Sequence, residues 1–176
     1  MRERLLRCFL VLPFLLWVSV AGAGEETYVV KKVFDGDTVV LHNGEKVRLV
    51  GVSAPEIKDE QGKNKKEARF AHLDPKIVDR YAKKAKKFVE KEVEGKKVRL
   101  EFDRANALNA HKDKYNRTLA YVYRVPDGFF LNAEVIKQGY GFAYKSYRFP
   151  YRHSGDFKRY EKEASRNKRG MWGEGG

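Results

Sequence analysis

Residues 28 to 52 hold short apolar runs rich in Val, cut by Asp35-Gly36 and again by Asn43-Gly44. The pattern predicts three strands, Tyr28–Phe34, Asp37–His42 and Lys46–Val52. Asn and Gly both tolerate the positive φ of a tight hairpin turn, so the second and third strands are expected to pair directly. Residues 57–73 are polar, rich in Lys and Glu, and read as an exposed loop. From Asp74 onward the apolar spacing changes to three and four. Val78, Tyr81, Ala85, Phe88 and Val89 form one helical stripe, with Asp74 as N-cap, Pro75 at the first helical position and Gly95 as the stop. Lys83, Lys84, Lys86, Lys87 and Lys91 fall mostly off the stripe and read as a solvated face.

Val98, Leu100 and Phe102 alternate with charged residues as a half-buried strand, and Leu119–Tyr123 is the fifth strand, closed by Pro126-Asp127-Gly128. Asn132–Gln138, stopped by Gly139, is a short helix. A last helix is expected from about Asp156 to Arg169, with Phe157, Tyr160 and Ala164 on one face. These elements predict an α+β fold that is mainly β: five short antiparallel strands and about three helices. A five-stranded barrel with a helix across one end removes the exposed sheet edges, and the oligonucleotide-binding (OB) barrel is the common form of it.

The first 23 residues stand apart. Arg2, Arg4 and Arg7 precede an apolar stretch from Phe9 to Val20, and Ala21-Gly22-Ala23 is a small-residue cleavage site. This is the layout of a secretory signal peptide, with an uncleaved N-terminal membrane anchor as the alternative. Cleavage near Ala23 leaves one domain, residues 24–176, that is secreted or periplasmic. The single cysteine, Cys8, lies in the leader, so the mature protein is expected to hold no disulfide. The net charge is +13, of which +11 remains beyond residue 23. Such a charge on a small domain favours polyanionic partners: nucleic acid, acidic lipid or acidic polysaccharide. The four histidines, His42, His72, His111 and His153, show no paired metal spacing.

Three charges share parity with apolar strand positions. Arg48 has the parity of Val50 and Val52, Asp37 that of Val39 and Leu41, and Arg117 that of Leu119, Tyr121 and Tyr123. A charge turned toward a buried face costs several kcal/mol unless it is paired or binds a ligand. Two guanidinium forks and a carboxylate are the groups that grip a phosphodiester and hold a cation opposite it.

Asp35-Gly36-Asp37-Thr38-Val39, Arg48-Leu49 and Pro55-Glu56, eight residues after Arg48, resemble the first signature of the staphylococcal nuclease (thermonuclease) family. Asp113-Lys114-Tyr115-Asn116-Arg117 followed by Leu119-Ala120-Tyr121-Val122-Tyr123 resembles the second, and Arg169-Gly170-Met171-Trp172 is similar to the end of the family's last helix. The likeness runs from about residue 28 to 172. It implies an OB barrel, calcium (Ca2+) dependence, and hydrolysis of DNA and RNA to 3′-phosphate products. By position, Arg48 and Arg117 would hold the scissile phosphate, and Glu56 would act as general base on the attacking water. Asp37 would be the main calcium ligand, joined by Ser53 and the Ala54 backbone carbonyl, with Asp35 behind them.

Ser53 stands where the family carries a second aspartate, which weakens calcium binding because a hydroxyl is a poorer ligand than a carboxylate. Asn116 stands where Gly or Gln is usual, and the segment after Glu56 is longer than usual. By the same resemblance, Lys114 and Tyr115 match positions that contact the nucleotide in the family, and Tyr144 and Tyr147 fall in the region of its substrate-facing tyrosines. The aromatic and basic residues from Tyr140 to Tyr151 suit the stacking of single-stranded bases. A monomer is expected. The alternative reading is a non-catalytic OB module that binds single-stranded nucleic acid without cutting it.

Overall fold

A computed structural model describes residues 26–57, 60–144 and 151–174. The expected signal peptide, and Tyr147, lie outside the described residues. The chain forms β1 (Thr27–Asp35), β2 (Thr38–Leu41), β3 (Lys46–Leu49), β4 (Val52–Ser53), α1 (Lys63–Ala71), α2 (Pro75–Val93) and β5 (Lys97–Glu101). A 3-10 turn (Arg104–Asn109), β6 (Thr118–Arg124), α3 (Leu131–Lys137), β7 (Phe142–Ala143), α4 (Ser154–Arg166) and a final 3-10 turn (Gly170–Gly173) complete it.

Five strands close a barrel in the order β1-β2-β3-β6-β5, sealed where Tyr28 of β1 pairs with Val98 of β5. The barrel departs from the all-antiparallel expectation in one place: β3 and β6 run parallel, with Arg48 opposite Leu119. The long return from β5, through residues 102–117, brings β6 back beside β3 in the same direction. Val30, Val39, Leu41, Val47, Leu49, Val98, Ala120 and Val122 fill the interior, each fully buried.

The third strand is shorter than its apolar run. It ends at Leu49, and the chain turns at Gly51, whose φ is +78°. A Cβ on Gly51 would come within 2.5 Å of the Tyr151 ring and 2.6 Å of the Phe157 ring, so only glycine fits. Beyond the turn, Val52–Ser53 pair with Phe142–Ala143 in a separate two-stranded sheet. The break overturns the parity expected of Arg48. Its chain neighbours Val47 and Leu49 point into the barrel, so Arg48 lies on the outer wall.

The stretch expected as an exposed loop contains α1. Its sequence has no apolar stripe because only Asn64 and Ala68 are buried. Packing against α2 decides it: Ala68 joins Ile77, Val78, Tyr81, Phe142 and Met171 in a second small core. The long helix α2 matches expectation, with Asp74 capping it by accepting a hydrogen bond from Lys76 N at 2.8 Å. Ile77, Val78, Tyr81, Ala82, Ala85, Val89 and Val93 form its buried face. Short helix α3 carries buried Asn132, whose side chain accepts from Val122 N and donates to Val50 O, both at 2.9 Å, tying β6 to the turn after β3. The last helix starts two residues early and ends at Arg166, three residues before the expected end. No helix among the described residues is long and apolar enough to cross a membrane.

Candidate active site

The site lies on the outer wall of the barrel, where β2, β3 and the start of β6 adjoin the chain after β4. Arg48 is paired across strands with Thr38 and Leu119, so these three share a face. Arg117 precedes Leu119 by two residues and reaches the same face, with its Nη1 3.4 Å from Thr38 Oγ1. Gly36 makes the turn that sets Asp37 beneath them. A Cβ there would lie 2.6 Å from Ala54 Cβ and 2.7 Å from Ala85 Cβ, so the Asp35-Gly36-Asp37 turn fits against α2 only as glycine.

Asp37 is buried and fully engaged. Its Oδ1 accepts from Arg48 Nη1 at 2.7 Å and from Thr38 Oγ1 at 3.1 Å, and its Oδ2 accepts from Ala54 N at 2.8 Å. Burial pushes its carboxyl up, but the charges of Arg48 and Lys63 and the Ala54 hydrogen bond prevail and hold it below the usual carboxylate range. Asp35 stands behind it, accepting from Asp37 N at 3.0 Å. Burial, with the charge of Asp37 beside it, pushes the Asp35 carboxyl up to about 7.

Arg117 is held by a different aspartate. Its Nε donates to Asp113 Oδ2 at 2.8 Å, and Nη2 lies 2.7 Å from the same oxygen. Asp113 Oδ1 accepts from the backbone N–H groups of Tyr115 and Arg117, closing the Asp113–Arg117 loop, in which Asn116 adopts φ +61°. Asparagine tolerates this left-handed conformation, so the departure from the family motif costs the loop nothing visible. Lys114 and Arg117 both flank the exposed Tyr115 ring, their cationic groups 4.9 and 5.4 Å from its centroid.

Glu56 is positioned by α1, an element absent from the sequence reading. Asn64 Oδ1 accepts from Glu56 N at 2.8 Å, while Asn64 Nδ2 donates to Glu56 O at 2.9 Å and to Asp79 Oδ1 at 2.9 Å. The amide thus clamps the Glu56 backbone to both α1 and α2. One residue earlier, Lys63 Nζ lies 2.7 Å from Glu56 Oε1, 3.1 Å from Ala54 O and 4.0 Å from Asp37 Oδ2. Burial tends to lower the Lys63 pKa, but Asp37 and Glu67 raise it above the ordinary value overall. Ser53 donates its hydroxyl proton to Glu67 Oε1. Burial pushes the Glu67 carboxyl up to about 7.

Arg48, Ser53, Glu56, Lys63, Glu67, Lys114, Tyr115, Arg117 and Tyr144 all line one cleft of about 1050 Å³. Lys66 and Phe70 of α1 extend its wall, and Phe70 is exposed. Lys63, Asn64, Glu67 and Phe70 escaped the sequence reading; the polar run of 57–73 was their only trace. The oxygens expected to hold calcium are already engaged by other groups. The Lys63 ammonium already stands among Asp37, Ala54 and Glu56, and the Ser53 hydroxyl is turned to Glu67. Among the described residues, no three His, Cys, Asp or Glu side chains gather as a metal-holding group.

The sequence matches the family described as staphylococcal nuclease homologue over residues 46–174. The thermonuclease of Staphylococcus hyicus is 32% identical over 158 residues, covering 88% of this chain and 80% of its own length. The thermonuclease of Staphylococcus intermedius is 37% identical over 118 residues, 65% of this chain and 57% of its own length. Endonuclease YncB of Bacillus subtilis (strain 168) is 30% identical over 148 residues, 82% of this chain and 61% of its own length. The closed five-stranded barrel, the two motifs and these likenesses lead to one assignment: the chain belongs to the staphylococcal nuclease family and is a nuclease, a hydrolase of phosphodiester bonds.

Proposed function

We propose that the protein cuts DNA and RNA, single strands in preference to duplexes, with Arg48, Arg117 and Glu56 as the groups that act on the phosphate and the attacking water. The observation that carries this reading is that these three side chains, from three separate segments, line one cleft. Each guanidinium is oriented by an aspartate, so its remaining N–H donors need not reorganise as charge grows on the phosphate oxygens. Prearranged donors of this kind are worth on the order of 10²–10³ in rate each. Glu56 takes the proton of the attacking water. The water oxygen forms a new bond to phosphorus as the bond to the leaving oxygen breaks, and the leaving oxygen takes a proton from solvent water.

The exposed rings of Tyr115 and Phe70, with Lys66 and Lys114 close by, support single-strand binding by stacking and backbone attraction. The sequence of residues 1–23 supports export, to the periplasm or out of the cell. Calcium is the cation that the family likeness suggests. No step above runs through it, because Lys63 stands at its expected seat.

The test is cleavage of single-stranded DNA and RNA by the mature protein, repeated with Arg48→Ala and Arg117→Ala. Loss of roughly 10²–10³ in kcat for each variant, with folding intact by circular dichroism, is the expected result. Salt-sensitive binding of the strands without cleavage by the unmutated protein would leave only the non-catalytic module.

A further inference from the structure

We propose that the Lys63 ammonium is the resident cation of this site, standing in place of a divalent ion. The proposal rests on the nuclease reading above and deepens it. Its basis is the geometry of Nζ, which lies 2.7 Å from Glu56 Oε1, 3.1 Å from Ala54 O and 4.0 Å from Asp37 Oδ2. These are two carboxylates and a backbone carbonyl converging on one point, the kind of oxygen set that a hard cation seeks.

Three features of the chain make the ammonium a built part of the site. Lys63 is the first residue of α1, and its neighbour Asn64 is 1% exposed and tied to Glu56 and Asp79. Ala68, one turn on, is anchored in the second core, so the helix has little room to slide. Position 53, next to Ala54, carries a hydroxyl in place of a carboxylate. Its proton is donated to Glu67, so position 53 itself offers the seat no anionic oxygen. An ammonium is a compact point charge with three donors, able to neutralise phosphate and to orient the Glu56 carboxylate at once. Like charges repel, so a second cation binds only weakly while Nζ remains among these oxygens.

The test compares the full chain with Lys63→Gln. Lys63→Met, which keeps the aliphatic stem, is run beside it in case the amide variant fails to fold. Calcium chloride is titrated into each protein by calorimetry, the melting temperature is read with and without calcium, and cleavage of single-stranded DNA is followed in chelator. The unmutated protein is expected to bind calcium no tighter than about millimolar and to show no calcium-dependent rise in melting temperature. In chelator it is expected to keep its cutting rate to within about twofold, and the variant to lose about 10²-fold. Replacing Lys63 is expected to tighten calcium binding by about tenfold or more and to bring a calcium-dependent rise in melting temperature. Calcium binding to the unmutated protein that is as tight as binding to the variants would overturn the proposal. So would cutting by the unmutated protein that stops in chelator and returns with calcium. A protein that cuts nothing under any condition would strike the nuclease reading instead, while the calcium titrations would still judge the seat.

Discussion

The two arginines of the cleft are held in contrasting ways. Arg48 sits in the barrel wall, its side chain 11% exposed, against an aspartate that is 3% exposed and 11 residues away in sequence. Arg117 sits at the mouth of a loop, 25% exposed, against an aspartate four residues earlier in the same turn. The first pair depends on the β2–β3 hairpin and the wall it forms, since the two strands must register before the ions meet. The second is made by local chain geometry and needs only the loop. A buried pair is costly to break because the remaining charge has no water to turn to, whereas a partly solvated pair can be re-solvated. The same chemical unit therefore ties the site to the fold in one place and leaves it adjustable in the other.

The largest effect expected from breaking this contrast comes from Asp37→Ala. It strands Arg48 in the wall and deprives Lys63 of a neighbour, so unfolding in urea is expected to show a loss on the order of 3–5 kcal/mol. A loss equal to that of an exposed ion pair would mean that water reaches Arg48 freely.

Next comes Glu67, whose carboxyl is pushed by burial from its ordinary 4.5 up to about 7. The folded state then holds the proton more tightly than the unfolded chain. Stability contributed by this group is present below pH 4.5 and is lost as pH rises through about 7. Glu67→Gln is expected to flatten the stability profile across that window by on the order of 2–3 kcal/mol, measured by denaturation at a series of pH values. An unchanged slope would assign the pH dependence to Asp35 instead.

Asn64→Ala removes the amide that holds the backbone of Glu56 and leaves that N–H and carbonyl without their partner. A stability loss of about 1–3 kcal/mol is expected, with kcat falling more than KM changes, because the clamp orients Glu56 and touches no substrate. The smallest effect is that of Asp113→Asn. The amide keeps the loop's backbone hydrogen bonds in part and frees Arg117, so stability is expected to fall by about 1 kcal/mol or less. The rate loss should be smaller than that of Arg117→Ala.

Most of the barrel was readable from residue patterns. The strands β1, β2, β5 and β6 and the helix α2 follow local rules: apolar period, a glycine in a tight turn, an aspartate before a proline. The two nuclease motifs named Arg48, Glu56, Arg117 and Asp37 because each motif is a short segment, but the β3–β6 seam is what brings the two arginines to one face. Reading the parity of Arg48 through Val50 and Val52 failed because a single glycine turn resets the alternation. The α1 helix was missed because a helix that buries only an asparagine and an alanine leaves no periodic signal.

What the sequence alone determined, then, is the set of strands, the long amphipathic helix, the positive charge and the two motifs, all of them encoded within a few residues of one another. What only the tertiary structure decided is the parallel seam between β3 and β6, the existence of α1, and the placement of the Lys63 ammonium against Glu56 and Ala54. These features depend on contacts between segments distant in the fold or poor in pattern. Lys63 in a polar run looks like any solvated lysine until the chain folds and brings the oxygens of two other segments around it.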